Sequence, residues 1–494
     1  VPPYFRDLQL DRIVAEITVG WEQYDLAPFF CALAPDLETI VYRQEVMHDL
    51  EHGPLRRSIQ TFSARIRQLR RYQELARQSD NQHEARRWFL DAAVLYCETV
   101  ENLARDLAAA QPASRGLRAL RAYLAGYLAS GRFRTLAADA RQLAQALVQV
   151  RYDLRIRGDT ITVFPHRGEA DYAAEVVAAF EKFGLDASAG RRSVPPPSLL
   201  ATARLNHIEA AIVDGVARLY PAIFGALERF VADHADFLDA TIARFEREVQ
   251  FYVAYLEYIE RFSQAGLHFC YPELSNSSKE IRASDAFDLA LASMLLRAGG
   301  QVVCNSFDLR DPERILVVTG PNQGGKSTFA RMVGQLHYLA RLGCPVPGTE
   351  ARLFFFDRLF THFERAEDIQ TLRGKLQDDL LRLRAILDEA TPSSLVIVNE
   401  IFASTTVRDA LTLSRKLMAA LSRLDLLAVC VTFLDELSSF DRKAVSFVSS
   451  VAAHDPTVRT FVVRRSPPNW RAYALAIAEK HRVTYHWLSE RIQG

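Results

Sequence analysis

The spacing of apolar residues divides the chain of 494 residues into stretches of different character. Over residues 1–150 apolar positions recur at helical spacing, and Leu117–Val150 carries a Leu/Ala stripe with a period near 3.6. Residues 151–167 (RYDLRIRGDTITVFPHR) instead alternate apolar and polar around Gly158-Asp159, which predicts a β-hairpin. The run Gly190–Pro197 (GRRSVPPP) predicts a linker or sharp turn. Helical spacing returns from Leu199 to Phe262. Within it, TIARFEREVQFYVAYLEYIERF has neither Gly nor Pro and predicts one helix about 30 Å or more long. Such a helix is either a lever feeding the next domain or a member of a bundle, and the pattern alone fits both. From Arg314 onward, buried strands (ILVVT, LFFF, SLVIV, LAVCVTF, TFVV) alternate with helical segments, which predicts an α/β domain with a largely parallel sheet.

Composition narrows the class. At roughly 100–200 residues per domain, the length fits two to four domains. With 49% hydrophobic residues and 60 basic against 60 acidic side chains, the chain is neither disordered nor a generally basic coat for nucleic acid. Neutrality leaves room for local stripes. Arg56–Trp88 holds nine Arg against Glu74, Asp80 and Glu84. Only seven of the 60 basic residues are Lys.

The six Cys form no CxxC pair and read as reduced, mostly buried thiols, which predicts a cytoplasmic protein. No apolar run approaches the roughly 18 residues of a spanning helix, so no membrane is expected. The first twenty residues, with Arg6, Asp7, Asp11, Arg12 and Glu16, do not read as a signal peptide. The chain begins at Val1, so a lost leader or an engineered start stays open. His48-Asp49-Leu50-Glu51-His52 fits a zinc-peptidase spacing. However, Gly53-Pro54 ends that helix and no third ligand stands out, so a solvated helix end is the better reading.

One motif carries chemistry. Gly320-Pro321-Asn322-Gln323-Gly324-Gly325-Lys326-Ser327-Thr328 fits G-x-x-x-x-G-K-[ST], after the strand ILVVT and before a helix starting near Phe329. Its glycines would let backbone N–H groups close around phosphates at a helix N-terminus. Lys326 would reach the β/γ-phosphates and the Ser327 hydroxyl would ligate Mg²⁺. About 70 residues on, the apolar strand Ser394–Val398 ends in Asn399-Glu400, where an acid pair belongs. Glu400 is the candidate to orient or deprotonate the attacking water. Asn399 is an amide and lacks the charge that holds a metal ion, so weaker metal affinity or slower turnover is expected.

At these residues the chain resembles the MutS family of DNA mismatch-repair ATPases, an ABC-type P-loop group. The loop GPNQGGKST has the family's signature form, and Asp357-Arg358-Leu359-Phe360-Thr361 matches its D-R-I-F-T. Ser404-Thr405-Thr406 with Asp409 sits where the family has a small polar loop, and Asn305 matches an Asn upstream of the P-loop. The segments AYALAIAEKHR and TYHWLSERI resemble a dimerising helix-turn-helix. The resemblance implies an α plus α/β fold: a helical core over 1–150, a small clamp-like insertion over 151–198, lever helices over 199–265, and an ATPase domain over 266–494. It further implies a homodimer formed through the ATPase domain, with ATP and Mg²⁺ as cofactors and duplex DNA as a partner read without sequence specificity.

Departures from the family pattern are as informative. No Phe is followed two residues later by Glu, so the mismatch-reading wedge is missing. The trans signature-loop Ser-Thr aligns with Gly374-Lys375, and Lys375 is the expected substitute contact to a γ-phosphate. The switch His is Phe433, after Thr432, and the adenine-stacking Phe is Val302. These changes predict slow hydrolysis by Glu400, Lys326 and Asn399. Candidate DNA contacts are Arg65, Arg67, Arg70 and Arg71 in the Arg-rich helix and Arg155 and Arg157 in the hairpin. Branched or structured duplex is the expected target. The other open reading is a nucleotide-switched protein that hydrolyses little and recruits a partner.

Overall fold

The computed structural model describes residues 2–51, 53–158, 160–167, 205–364, 374–452, 458–467, 479, 481–485 and 487–489. Contacts divide the chain into two compact units. One joins residues 1–51 to 249–494, and the other is 52–248.

The 52–248 unit is mainly helical. Helices Gly53–Gln78 and Gln82–Ala110 pack on each other. Ile59, Phe62, Ile66 and Leu69 of the first are buried at the helical period seen in the sequence. The Asn81 side chain starts the second helix by accepting from the backbone N–H groups of His83 and Glu84, at 2.9 and 3.0 Å. Strands β1 (Tyr152–Arg157) and β2 (Thr160–Pro165) form the expected hairpin, antiparallel with Leu154 opposite Val163. Gly158 at its turn has φ +58°, the left-handed region that favours glycine. Val163 rests on Gly215 of the helix His207–Leu219, where a Cβ would come within 2.8 Å of it. The uninterrupted helix read from the sequence is Ala240–Gln264. Its 25 residues correspond to about 37 Å, and the boundary between the units falls inside it.

The other unit holds a six-stranded sheet in the order β10-β11-β12-β7-β13-β14. These strands are β7 (Ile315–Thr319), β10 (Leu359–His362), β11 (Leu395–Asn399), β12 (Leu427–Val431), β13 (Ala444–Val451) and β14 (Arg459–Arg465). All neighbours are parallel except β13 and β14, so the α/β reading with a largely parallel sheet holds. Every residue of β7, β11 and β12 is buried, which is why these segments read as unbroken apolar runs. Helix Val407–Leu424 covers one face through Ala410, Leu417 and Leu421.

A second sheet, in the order β4-β9-β5-β6, comprises β4 (Glu273–Ser275), β5 (Ile281–Ala286), β6 (Asn305–Leu309) and β9 (Glu350–Phe354), and β3 (Phe269–Cys270) pairs with β8 (Val346–Pro347). The LFFF segment therefore begins in a strand of this smaller sheet, and the main sheet takes Leu359–His362 instead. A short buried apolar run does not encode which sheet it joins, because that depends on distant partners.

Residues 2–51, grouped with the helical core by their pattern, pack into the sheet-bearing unit. Gln335 donates to the Leu8 carbonyl at 2.9 Å, Thr361 to Asp7 at 2.6 Å, and Tyr338 to the Phe30 carbonyl at 2.7 Å. The stretch GRRSVPPP and most of the two C-terminal helical segments lie outside the described residues. No single helix among the described residues is long and apolar enough to cross a membrane.

Candidate functional site

The glycine loop grows directly out of the fully buried strand β7. Gly320 has φ +120° and Gly325 φ +91°, conformations that L side chains rarely adopt, and Gln323 between them has φ +59°. Space restricts the loop as well. A Cβ on Gly320 would come within 2.9 Å of the Ser449 carbonyl oxygen, and one on Gly324 would collide with the Ser449 hydroxyl. That hydroxyl donates to the Gly324 carbonyl at 2.5 Å. Arg459 Nε donates to the Asn322 carbonyl at 3.2 Å. Gly325 lies against the backbone and Cβ of Phe461, a residue 49% exposed whose own φ is +60°. The loop is thus enclosed by the ends of β13 and β14.

Helix Lys326–Arg341 follows at once. Lys326 is buried, and its Nζ donates to the carbonyls of Gly320 and Pro321, each at 3.1 Å, and to Asn322 Oδ1 at 3.4 Å. Glu400 Oε1 lies 3.5 Å from the same nitrogen. Burial holds the Lys326 pKa below its ordinary value, and the Glu400 carboxylate opposes that shift. Glu400 sits just past β11 at φ +50°, with its N–H donated to the Val431 carbonyl at 2.9 Å. Asn399 is buried, and its Oδ1 has no hydrogen-bond partner. Asn399 Oδ1 and the hydroxyl of half-buried Ser327 are neutral hard oxygens of the kind Mg²⁺ accepts. An orphaned buried oxygen at this place fits that ion.

The remaining candidates have varied surroundings. Asn305 donates to the Phe461 carbonyl at 3.2 Å and accepts from Val463 N–H at 2.7 Å, so it ties β6 to β14. Val302 is half-buried ahead of β6. Thr432 Oγ1 accepts from Leu434 N–H at 3.0 Å, and Phe433 is 45% exposed. Gly374 is exposed, and Lys375 begins the helix Lys375–Glu389 and pairs with Glu364; residues 365–373 lie outside the described set. Asp357 accepts from Thr391 at 2.5 Å and Ser394 at 2.9 Å, and Thr361 holds Asp7. The D-R-L-F-T segment is therefore a packing joint. Thr406 caps the helix Val407–Leu424 together with Asp409.

Among the candidate arginines, Arg70 is 2.5 Å from the fully buried Glu246, and Arg65 is 3.7 Å from Glu98. Arg67 and Arg71 are exposed. Arg155 lies over the Phe164 ring at 5.1 Å, and Arg157 is exposed near the hairpin turn. His48 stacks on Tyr271 at 3.9 Å between ring centroids. No group of three or more His, Cys, Asp or Glu among the described residues could hold a metal ion. The six cysteines are free. Sequence reading missed Ser449, Arg459 and Phe461, and also Asp435, whose charge acts on Lys326. All four approach the loop from more than a hundred residues away, and no local spacing marks them.

Fold and motif together define a mixed helical and α/β protein bearing the phosphate-loop pattern at the carboxyl end of a central strand. Residues 316–485 match the family model described as MutS domain V. The chain is 34% identical over 119 residues to the DNA mismatch repair protein MutS of Halalkalibacterium halodurans, covering 24% of this chain and 14% of that one. It is 41% identical over 125 residues to MutS of Azorhizobium caulinodans, covering 24% and 13%. It is 32% identical over 147 residues to the DNA mismatch repair protein Msh3 of Mus musculus, covering 30% and 13%. Over this C-terminal stretch the chain is similar to the MutS family. Its matched stretches span only about one seventh of the length of those relatives, 13–14%.

Proposed function

We propose that the chain binds ATP on the loop Gly320–Thr328, hydrolyses it slowly, dimerises through the ATPase unit and contacts DNA in repair or recombination. The observation that carries the reading is the buried Lys326 ammonium. It is held by loop oxygens at 3.1 Å and faced by Glu400 at 3.5 Å, at the carboxyl ends of parallel strands. Phosphate oxygens would replace those carbonyls as acceptors, with the N-terminus of helix Lys326–Arg341 adding its positive end. Glu400 then orients the attacking water and takes its proton. Ser327 and Asn399 are the residues that would hold Mg²⁺, which would supply neutralisation of phosphate charge. Lys375 stays the proposed trans contact to the γ-phosphate of a second copy.

The relatives' names support mismatch repair as the wider setting. Branched or structured duplex is the proposed target. Arg71 and Arg157, both exposed, are the candidates best able to reach phosphates. A second reading, a nucleotide switch that recruits a partner with little hydrolysis, is favoured by the amide at Asn399 and the exposed ring of Phe433. An ATPase assay with and without homoduplex and branched DNA, run beside sizing with ATP, separates the two. Stimulation with dimerisation supports the ATPase, whereas ATP binding without either effect supports the switch.

A further inference from the structure

Strands β11, β12 and β7 are adjacent and end level: Asn399 pairs with Val431, and Val431 with Val318. One residue further on, Glu400, Thr432 and Thr319 stand in a row at the carboxyl ends, the side on which open parallel sheets bind ligands. Asn399 brings no charge to this floor, and Glu400 faces Lys326. A third acid comes back over the row. After β12 the chain turns through Thr432 and Leu434 into the short 3-10 helix Asp435–Ser439, anchored by buried Leu434 and Leu437. This turn packs against β7 and β13. It sets the half-buried Asp435 carboxylate against the Thr319 hydroxyl, with its charge acting on Lys326.

One side-chain oxygen on this floor, Asn399 Oδ1, is nine-tenths buried and makes no hydrogen bond. Buried polar atoms without partners are uncommon and call for an occupant. A hydrated divalent cation would satisfy it through a water, but a neutral oxygen alone offsets none of the ion's charge. Magnesium keeps several waters and is usually held by one or two carboxylates beside phosphate.

We propose that Asp435 supplies the carboxylate that Asn399 lacks, holding the water shell of the divalent cation that accompanies the nucleotide. The acid has in effect moved from the end of β11 to the turn after β12. The inference rests on the ATP-binding reading of the loop.

The test is a Mg²⁺ titration of fluorescent ATP-analogue binding to the full chain, beside the same measurement in EDTA. Asp435→Asn is expected to raise the Mg²⁺ midpoint about tenfold while leaving binding in EDTA unchanged, and adding Asn399→Asp is expected to bring the midpoint back. An unmoved midpoint in Asp435→Asn overturns the proposal. Should that variant fail to fold, Asn399→Asp alone is expected to lower the midpoint, and no change there overturns it equally. A wild-type chain that binds no nucleotide in either condition removes the ATP reading itself and this inference with it. Wild-type binding with an unmoved midpoint removes this inference alone.

Discussion

Lys326 Nζ and Glu400 Oε1 lie 3.5 Å apart, each carried on backbone fixed by the sheet. The lysine opens the helix after β7, and the glutamate N–H is bonded to β12. On the proposed reading, a transferring phosphoryl group would part the two charges. Glu400→Gln is expected to retain ATP binding and to lower turnover by about 10²–10⁴-fold, the usual worth of a positioned base. Lys326→Ala is expected to abolish binding. Equilibrium binding and single-turnover hydrolysis check the pair, and unchanged turnover in Glu400→Gln removes Glu400 from the base role.

Gly324→Ala is expected to cripple the loop, because its new methyl would meet the Ser449 hydroxyl and the Pro321 carbonyl oxygen, the latter at 2.9 Å. Overpacking of this kind costs about 1–3 kcal/mol. Adding Ser449→Gly removes only the first clash, so nucleotide binding should recover in part. A thermal melt and a binding isotherm on the three proteins check this.

Arg70 and Arg71 are neighbours in sequence with opposite expected effects. Arg70 engages a carboxylate that is wholly buried, whereas Arg71 is exposed. Arg70→Ala is expected to destabilise the chain by about 1–3 kcal/mol, read by denaturant unfolding. Arg71→Ala should leave stability within about 0.5 kcal/mol and weaken salt-dependent DNA binding.

Asp425 gathers three cations: Lys443 at 2.6 Å, Lys279 at 3.1 Å and Arg314 at 3.2 Å. Burial alone would raise its pKa, but the lysine hydrogen bonds and the Arg314 charge pull it down to about 2. A depressed carboxyl pKa contributes stability above the unfolded value near 3.8, which is lost as pH falls toward about 2. The group is partly exposed, so roughly 1 kcal/mol is expected rather than the full shift. Unfolding of Asp425→Asn against wild type between pH 5 and pH 2 should show the difference shrinking as pH falls.

Much of this was legible in sequence because it is written locally. The hairpin around Gly158, the helix over Ala240–Gln264 and the strand–loop–helix at Lys326 each depend on residues within reach of one another. What escaped is long-range. Ser449 meets Gly324 across 125 residues, and Asp435 reaches Thr319 only because β12 lies beside β7. The Arg-rich stretch shows another limit: composition does not reveal that Glu246, 176 residues away, lies opposite Arg70.

The discontinuous unit also sets an order of assembly. Asp7 and Thr361 bond across 354 residues, so on the ribosome the N-terminal segment must wait for its partner. At roughly 5–20 residues per second that delay is about 20–70 s. The intervening helices have all their mutual contacts long before then. Leu8, Phe5 and Ile13, each nearly fully buried in the finished protein, spend that interval without their sheet-side neighbours, so these early residues are among the last to be covered.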